Sequence, residues 1–517
     1  MSEKMVAIDA IAEALARVRV QVDKQHAQII HSNDLARGDR ETLIATGWLQ
    51  EIMRGWYMLV RPDIATGDTA AWYANFWDFV RIYLNHRFGE AYCLSAESSL
   101  DLHTDNPTIP KQVIVIVKQG SGLRKLMHDT SLLMYTDVKN FPSEITQKQG
   151  INIFSLPYAL CKAAPTYFQK TPRDAELALR TIKMPAELSR VIIQYNLKAA
   201  GARIVGAYLF LQDEKTASAI KNDLKMAGLL VNPNNPFQQQ APLLHTKVKS
   251  PYAGRIQSMW AEARETVIQY FPKPPGLPVD TQDYLHHIDG IYQYDAYNSL
   301  SIEGYQVTYE LIEKVKNNQW DPVRNEYDNN IKNAMAAKGY FDAFQQVKAC
   351  VAQIIQGENA ASIVQENIQI WYQNLFGPSA RAGIIKPESL FGYRNDRVFI
   401  RNSRHIPPPK EVLIDAMSAF FECLEHEPHS AVRAILGHYF FVYIHPYMDG
   451  NGRIARFLMN ALFASGGYSW TVVRVANRNQ YITTLENTHT EFNMAAFTQF
   501  IKGEMEAVEY NNPYPKF

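Results

Sequence analysis

Residues His445 to Arg456, HPYMDGNGRIAR, place an imidazole, a carboxylate, two glycines and two arginines within one short stretch. Gly450 and Gly452 let the backbone approach a ligand and turn its N–H groups toward one point. The run that follows, ARFLMNALFA, is strongly helix-forming and ends at Gly466 and Gly467, so the loop leads into a helix N-terminus whose dipole favours an anion. Arg453 and Arg456 are three residues apart, share a helix face and can reach two different phosphates. Asp449 suits a Mg²⁺ ion bridging two phosphates better than it suits phosphate itself. His445, at the loop entrance, can take the proton of a hydroxyl attacking phosphorus. Nucleotidyl transfer needs position, charge neutralisation and a base, so the segment reads as a nucleotide-phosphate site and the chain as a nucleotidyltransferase. GNGRIA also fits the G-x-G-x-x-A of a dinucleotide fold. The HPYMD insertion and two arginines in the first helical turns argue against that reading.

The elements around this loop can be read from the same chain. SAVRAILGHYFFVYIH (430–445) reads as a buried helix, with a long strand as the alternative, and Pro446 stops it. A chain of 517 residues suggests roughly two to four domains. With 47% hydrophobic and 20% charged residues the composition is globular, and Lys+Arg equals Asp+Glu at 52 each, so no overall field selects nucleic acid or membrane. Cys93, Cys161, Cys350 and Cys423 form no CxxC pair, which points to isolated thiols in a reducing compartment. The amino terminus lacks a signal-peptide block, and no apolar run approaches the ~18–20 residues of a membrane span. A cytoplasmic protein without a membrane partner is expected.

Ile8, Ile11, Leu15, Val18 and Val22 have helical spacing. ETLIATGWLQEIM, from Glu41, continues as a second helical stretch, and RGWYMLVRP reads as a short strand. Together these suggest a winged-helix module over residues 1–65. A helix over 71–87 and a strand over 112–118 suggest an α+β unit, followed by mostly helical sequence over 175–230. Prolines and amides make 232–246 a linker, and helical patterns dominate from 247 to 517, interrupted near 391–409.

HPYMDGNGRIAR resembles the HxFx(D/E)GNGRxxR signature of Fic proteins, with Tyr447 in place of phenylalanine. The resemblance implies a mostly α-helical fold with a β-hairpin flap and transfer of AMP from ATP to a Ser, Thr or Tyr hydroxyl of a target protein. By that resemblance His445 is the base and Asp449 holds Mg²⁺. Gly450, Asn451 and Gly452 bind phosphates, and Arg453 and Arg456 clamp the β- and γ-phosphates. FGYRNDRVFIRNSRHIPPPKEV (391–412) is similar to the family's flap, with Val398, Phe399 and Ile400 as the edge that pairs with a target segment. Ser299-Leu300-Ser301-Ile302-Glu303-Gly304 resembles the (S/T)xxxE(G/N) inhibitory motif, on a helix near 295–304. The implied pairing of Glu303 with Arg456 would displace the γ-phosphate, with Ser299 as the motif's hydroxyl residue. NRNQYITTLE (477–486) lies where the family carries adenine-pocket residues, here Arg478 and Tyr481.

Residues 31–63 resemble the winged-helix head of AbiEi-type antitoxins, and 66–231 the body of such proteins. That resemblance implies DNA binding, with Arg37, Arg40 and Arg54 on phosphates, or docking of a protein partner. A helical docking or dimerisation domain is the alternative, and a homo-oligomer fits the family's gated inhibition. The same fold could instead remove AMP or transfer another nucleotidyl or phospho group, with Glu303 positioning water. An ATP-sensing transcriptional regulator that does not turn ATP over is the reading from another class.

Overall fold

The computed structural model describes residues 3–62, 69–139, 141–237, 250–320 and 331–510. It divides into two compact units, Met1–Leu243 with Phe399–Ile406, and Leu244–Val398 with Pro407–Phe517. The described residues are mostly helical, with a few small sheets in the first unit. Residues 238–246 of the expected linker lie outside the described residues. Its 232–237 part carries no helix or strand, and Phe237 is buried in the first unit's core.

The first unit opens on the helix Glu3–Gln25, which buries Ala14, Val18 and Val22 against Ile30, Leu43, Leu49 and Tyr57. The second helix stops at Ala45 instead of running on to Met53. Gly47, at φ 76°, takes the left-handed position after the helix, with its N–H on Ile44 O and the Trp48 N–H on Leu43 O. This double bond pattern closes a helix whatever the propensity of the residues beyond it. The chain then forms the strands Leu49–Met53 and Trp56–Leu59, antiparallel around a turn at Arg54 and Gly55, with Ile29–His31 pairing on the other edge of the second strand. A hairpin stands where a single strand is expected: Leu49, Ile52 and Met53 have helical spacing, and a register shift between Glu51 and Met53 accommodates it in a strand that buries Leu49 and Ile52. Ala70–Phe88 is a helix, and Gln112–Val117 is a strand lying parallel to Ser131–Thr136 in a four-stranded sheet.

In the second unit one continuous apolar core is shared by long helices. Ser430–Ile444 is a helix, not a strand, and all of it but Arg433 is buried. It packs against the helix Asn451–Ala464, and the catalytic-type loop is the short connection between them. The helix Ala360–Arg381 and the helix Ile331–Ile355 also pack on Asn451–Ala464.

The expected β-hairpin over 391–412 does not form. Val398, Phe399 and Ile400 are half-buried and carry no ladder partner, and a turn follows in which the Ser403 N–H reaches Ile400 O. The return segment is engaged elsewhere within the first unit: the Ile109 N–H donates to Arg404 O at 2.9 Å and the Ile406 N–H to Pro107 O at 2.7 Å. Pro407, Pro408 and Pro409 then remove the N–H groups a longer ladder would use.

Candidate active site

His445 is the residue at which the helix Ser430–Ile444 ends. Its backbone is left-handed, at φ 54° and ψ 59°, a conformation that costs a non-glycine residue roughly 1–2 kcal/mol. The Pro446 ring then prevents any continuation. The imidazole Nδ1 lies 3.2 Å from Val442 O. A carbonyl only accepts, so Nδ1 carries the proton and Nε2 keeps its lone pair. Burial, aided by the nearby Arg394 charge, pushes the imidazole down to about 4 against the opposing hydrogen bond to Val442 and the carboxylates Glu303 and Asp449. At neutral pH it is an uncharged ring with a free acceptor.

The loop beyond it is held by its own side chains. Asn451 accepts from the Tyr447 N–H at 2.9 Å and donates to Tyr447 O at 2.8 Å, which closes the loop on itself. Both ends of the Asn451 amide are thus spent on shaping the turn. Gly450 caps the next helix at φ 80°, a left-handed position natural to glycine. Asp449 receives the Gly450 N–H, and 63% of its side chain is exposed.

The two arginines differ sharply in their partners. Arg453 is buried between the Tyr305 ring, 5.1 Å from its guanidinium carbon, and the Phe376 ring at 4.8 Å. Its Nη2 is 3.4 Å from Asp449 Oδ1, and neither Nε nor Nη2 has a hydrogen-bond partner. Buried donors left this way are expensive, and an anion would satisfy them. Arg456 donates from Nε to Ser299 Oγ at 2.8 Å, and from Nη2 to Ser299 O at 3.1 Å and to Glu303 Oε1 at 2.7 Å. Its Nη1 is buried without a partner.

Glu303 reaches this position through the way its helix ends. Thr281–Ile302 closes with Gly304 at φ 86°, whose N–H bonds Ser301 O while the Tyr305 N–H bonds Leu300 O. Glu303, the cap residue, is thereby aimed at Arg456. Burial alone would raise its carboxyl, but Arg456 and then Arg453 outweigh that and hold it below the ordinary value. Gly452 makes the approach feasible: a Cβ there would stand 2.6 Å from Glu303 Oε1 and 3.2 Å from Arg456 Nη1.

The remaining expected site residues are placed otherwise. Arg478 Nε donates to Ile302 O at 2.7 Å and so grips the end of the Glu303 helix. Tyr481 is buried in the core, its hydroxyl 2.9 Å from His438 Nε2 and its ring stacked near Phe500. An open adenine pocket is not what surrounds Tyr481. In the first unit Arg37 pairs with Glu41 at 2.7 Å, Arg40 reaches Ser32 O at 3.4 Å, and Arg54 is exposed in the hairpin turn. The residues that sequence reasoning missed are Arg394, which donates to His445 O at 2.8 Å, and the rings of Tyr305 and Phe376. Their types and spacing carry no signal, since the contacts join segments far apart in the chain.

Among the described residues no group of three or more His, Cys, Asp or Glu side chains could hold a metal. Mg²⁺ bound largely through phosphates needs only one or two protein carboxylates, and the exposed Asp449 beside Arg453 fits that requirement. No helix among the described residues is long and apolar enough to cross a membrane.

The buried His438 and the half-buried His445 give this unit a pH signature. Burial pushes His438 down to about 3 and His445 down to about 4, from an ordinary 6.5. The unfolded chain therefore binds more protons than the folded one below about pH 6.5. Their contribution to stability is whole above that pH and is lost as pH falls toward the folded values. Urea midpoints should drop between about pH 7 and about pH 4.5, less steeply in His438→Gln. An equal drop in both proteins would contradict the assignment of His438.

Residues 365–463 match the model of the Fic/DOC family, and this part of the chain is similar to that family. The chain is 34% identical over 146 residues to the protein adenylyltransferase Fic of Nematostella vectensis, covering 27% of this chain and 34% of that protein. Over 146 residues it is 33% identical to the protein adenylyltransferase Fic of Drosophila yakuba, covering 27% and 29%. The chain thus spans about a third of the length of the curated relatives it matches. Among solved structures, a Fic-1 fragment from C. elegans aligns at 14% identity and a TM-score of 0.35, over 64% of this chain and 90% of that one. A Fic domain containing signaling protein from Bacteroides thetaiotaomicron aligns at 16% identity and a TM-score of 0.32, over 48% and 93%.

Proposed function

We propose that this protein is an adenylyltransferase that moves AMP from ATP to a Ser, Thr or Tyr hydroxyl of a target protein and is held off by Glu303. The observation that carries the reading is the uncharged His445, with Nε2 free to accept a proton, at the mouth of a loop that ends in the unsatisfied Arg453 donors. His445 Nε2 takes the hydroxyl proton as the hydroxyl oxygen bonds to the α-phosphorus. The bond from that phosphorus to the bridging oxygen breaks, and pyrophosphate leaves. The Gly450 and Gly452 backbone, shaped by Asn451, cradles phosphates at the helix N-terminus, and Arg453 and Arg456 neutralise their charge. Asp449 would hold Mg²⁺, which supplies further neutralisation of the phosphates when bound.

Autoinhibition belongs to the same proposal. Glu303 occupies the Arg456 edge that a γ-phosphate would need. The names of the relatives, protein adenylyltransferases, agree with the choice of AMP over other groups. DNA contact by the first unit is a separate proposal. An exposed i,i+4 pair such as Arg37 with Glu41 is worth under ~1 kcal/mol, so Arg37 could be released to a phosphate, whereas Arg40 is turned inward.

Intact-mass analysis of the Glu303→Gly protein incubated separately with ATP, UTP and GTP tests the reaction. One AMP unit should be gained with ATP alone. A UMP gain would replace the nucleotide assignment, and no covalent product with any nucleotide, while ATP still binds, would favour the ATP-sensing reading.

A further inference from the structure

Four polar contacts converge on one residue that the proposed mechanism does not use. Arg394 is buried, 5% exposed, in the segment that precedes Val398. Its Nε donates to His445 O at 2.8 Å, and its own backbone N–H donates to Pro446 O at 2.9 Å. Two successive carbonyls of the catalytic turn are therefore taken by a single side chain and its backbone. Nη1 donates to Asp396 O at 2.9 Å, and Nη2 donates to Pro408 O. Asp396 and Pro408 both lie inside the stretch expected to be the flap, 391–412. One guanidinium thus joins two points of that stretch to the backbone of the histidine.

The His445 backbone needs such a support. Its left-handed conformation turns the carbonyl away from the helix that ends there, and a buried carbonyl without a donor is costly. Burial pushes Arg394 down to about 10, so it remains a cation at neutral pH. Its charge also bears on the His445 ring, in the sense opposite to Glu303 and Asp449. A lysine could keep the charge but not the planar fork that spans three carbonyls.

We propose that Arg394 is a positioning residue for the transfer step: it fixes the left-handed backbone of His445 and fastens Asp396 and Pro408 to that point. The inference rests on the reading of His445 as the proton acceptor. Arg394 would set where the imidazole stands relative to an incoming hydroxyl without touching substrate itself.

Arg394→Lys and Arg394→Gln, both in the Glu303→Gly background, test this. Misplacing a base by a fraction of an ångström should lower kcat by about tenfold or more, with the KM for ATP changed by less than about threefold. Arg394→Gln should also raise the His445 titration midpoint, read by NMR of the ring Cε1–H and assigned by its loss in His445→Ala. Arg394→Lys should leave that midpoint near the parent value, so the two variants separate geometry from charge. Parent-like kcat in Arg394→Lys would overturn the proposal, as would variants that lose thermal stability alone while kcat and the midpoint hold. If the parent transfers no nucleotide, the reading of the reaction fails by itself. The His445 midpoint and the hydrogen exchange of residues 396–398 in the two variants still decide whether Arg394 positions them.

Discussion

Replacing Glu303 with glycine is expected to raise self-labelling by ATP about 10- to 100-fold, since a charge-assisted hydrogen bond of ~1.5–3 kcal/mol would no longer compete for Arg456. The estimate rests on the 2.7 Å bond from Arg456 Nη2 to Glu303 Oε1, in which the guanidinium is buried and the carboxylate partly exposed. Arg456 should stay in place in this variant, because Ser299 holds it by both its hydroxyl and its carbonyl. Released from the carboxylate, Nη2 joins Nη1 in facing the phosphate site. The check is a time course of labelled-ATP incorporation for both proteins at equal concentration. Equal rates would remove Glu303 from any inhibitory role. A lower rate in the variant, with AMP removed from a labelled target only by the parent, would make Glu303 a positioner of water in the reverse reaction.

Replacing His445 with alanine should lower transfer by about 10²–10⁴-fold, the range general-base catalysis supplies. ATP affinity should change little. The groups proposed to meet phosphate are Arg453, Arg456 and the glycine backbone, and the imidazole bonds only Val442 O. The measurement pairs single-turnover labelling with a direct titration of ATP binding, both in the Glu303→Gly background. A parallel loss of binding would mean that the alanine disturbs the loop, and labelling at the parent rate would dismiss His445 as the base.

How much of this could be read in the chain depends on how local the cause is. The loop was legible because glycine, helix start and arginine spacing act within a dozen residues, and Gly450 and the helix Asn451–Ala464 stand where that pattern puts them. The Glu303 contact joins residues 153 positions apart. Only a family resemblance pointed to it, since no periodicity reaches so far. The helix expected over Glu41–Met53 ends early because Gly47 closes it through its backbone, while Leu49, Ile52 and Met53 keep helical spacing inside a strand with a register shift. The hairpin expected around Val398–Ile400 failed for a tertiary reason: the backbone of Arg404 and Ile406 is bonded to Pro107 and Ile109. Tyr481 shows the limit for side chains, because an aromatic residue suited to stack on adenine is equally suited to a core.

The absence of a side chain at position 452 has a consequence for how the lock could be lost. A methyl group there would collide with Glu303 Oε1 at 2.6 Å and crowd Arg456 Nη1 at 3.2 Å. Brake and fuel would share one berth, so an alanine at 452 would evict the glutamate and narrow the berth for the nucleotide in the same stroke. Constitutively active descendants of this protein should therefore carry their changes on the helix Thr281–Ile302 or at its Glu303 cap, and keep glycine at 452.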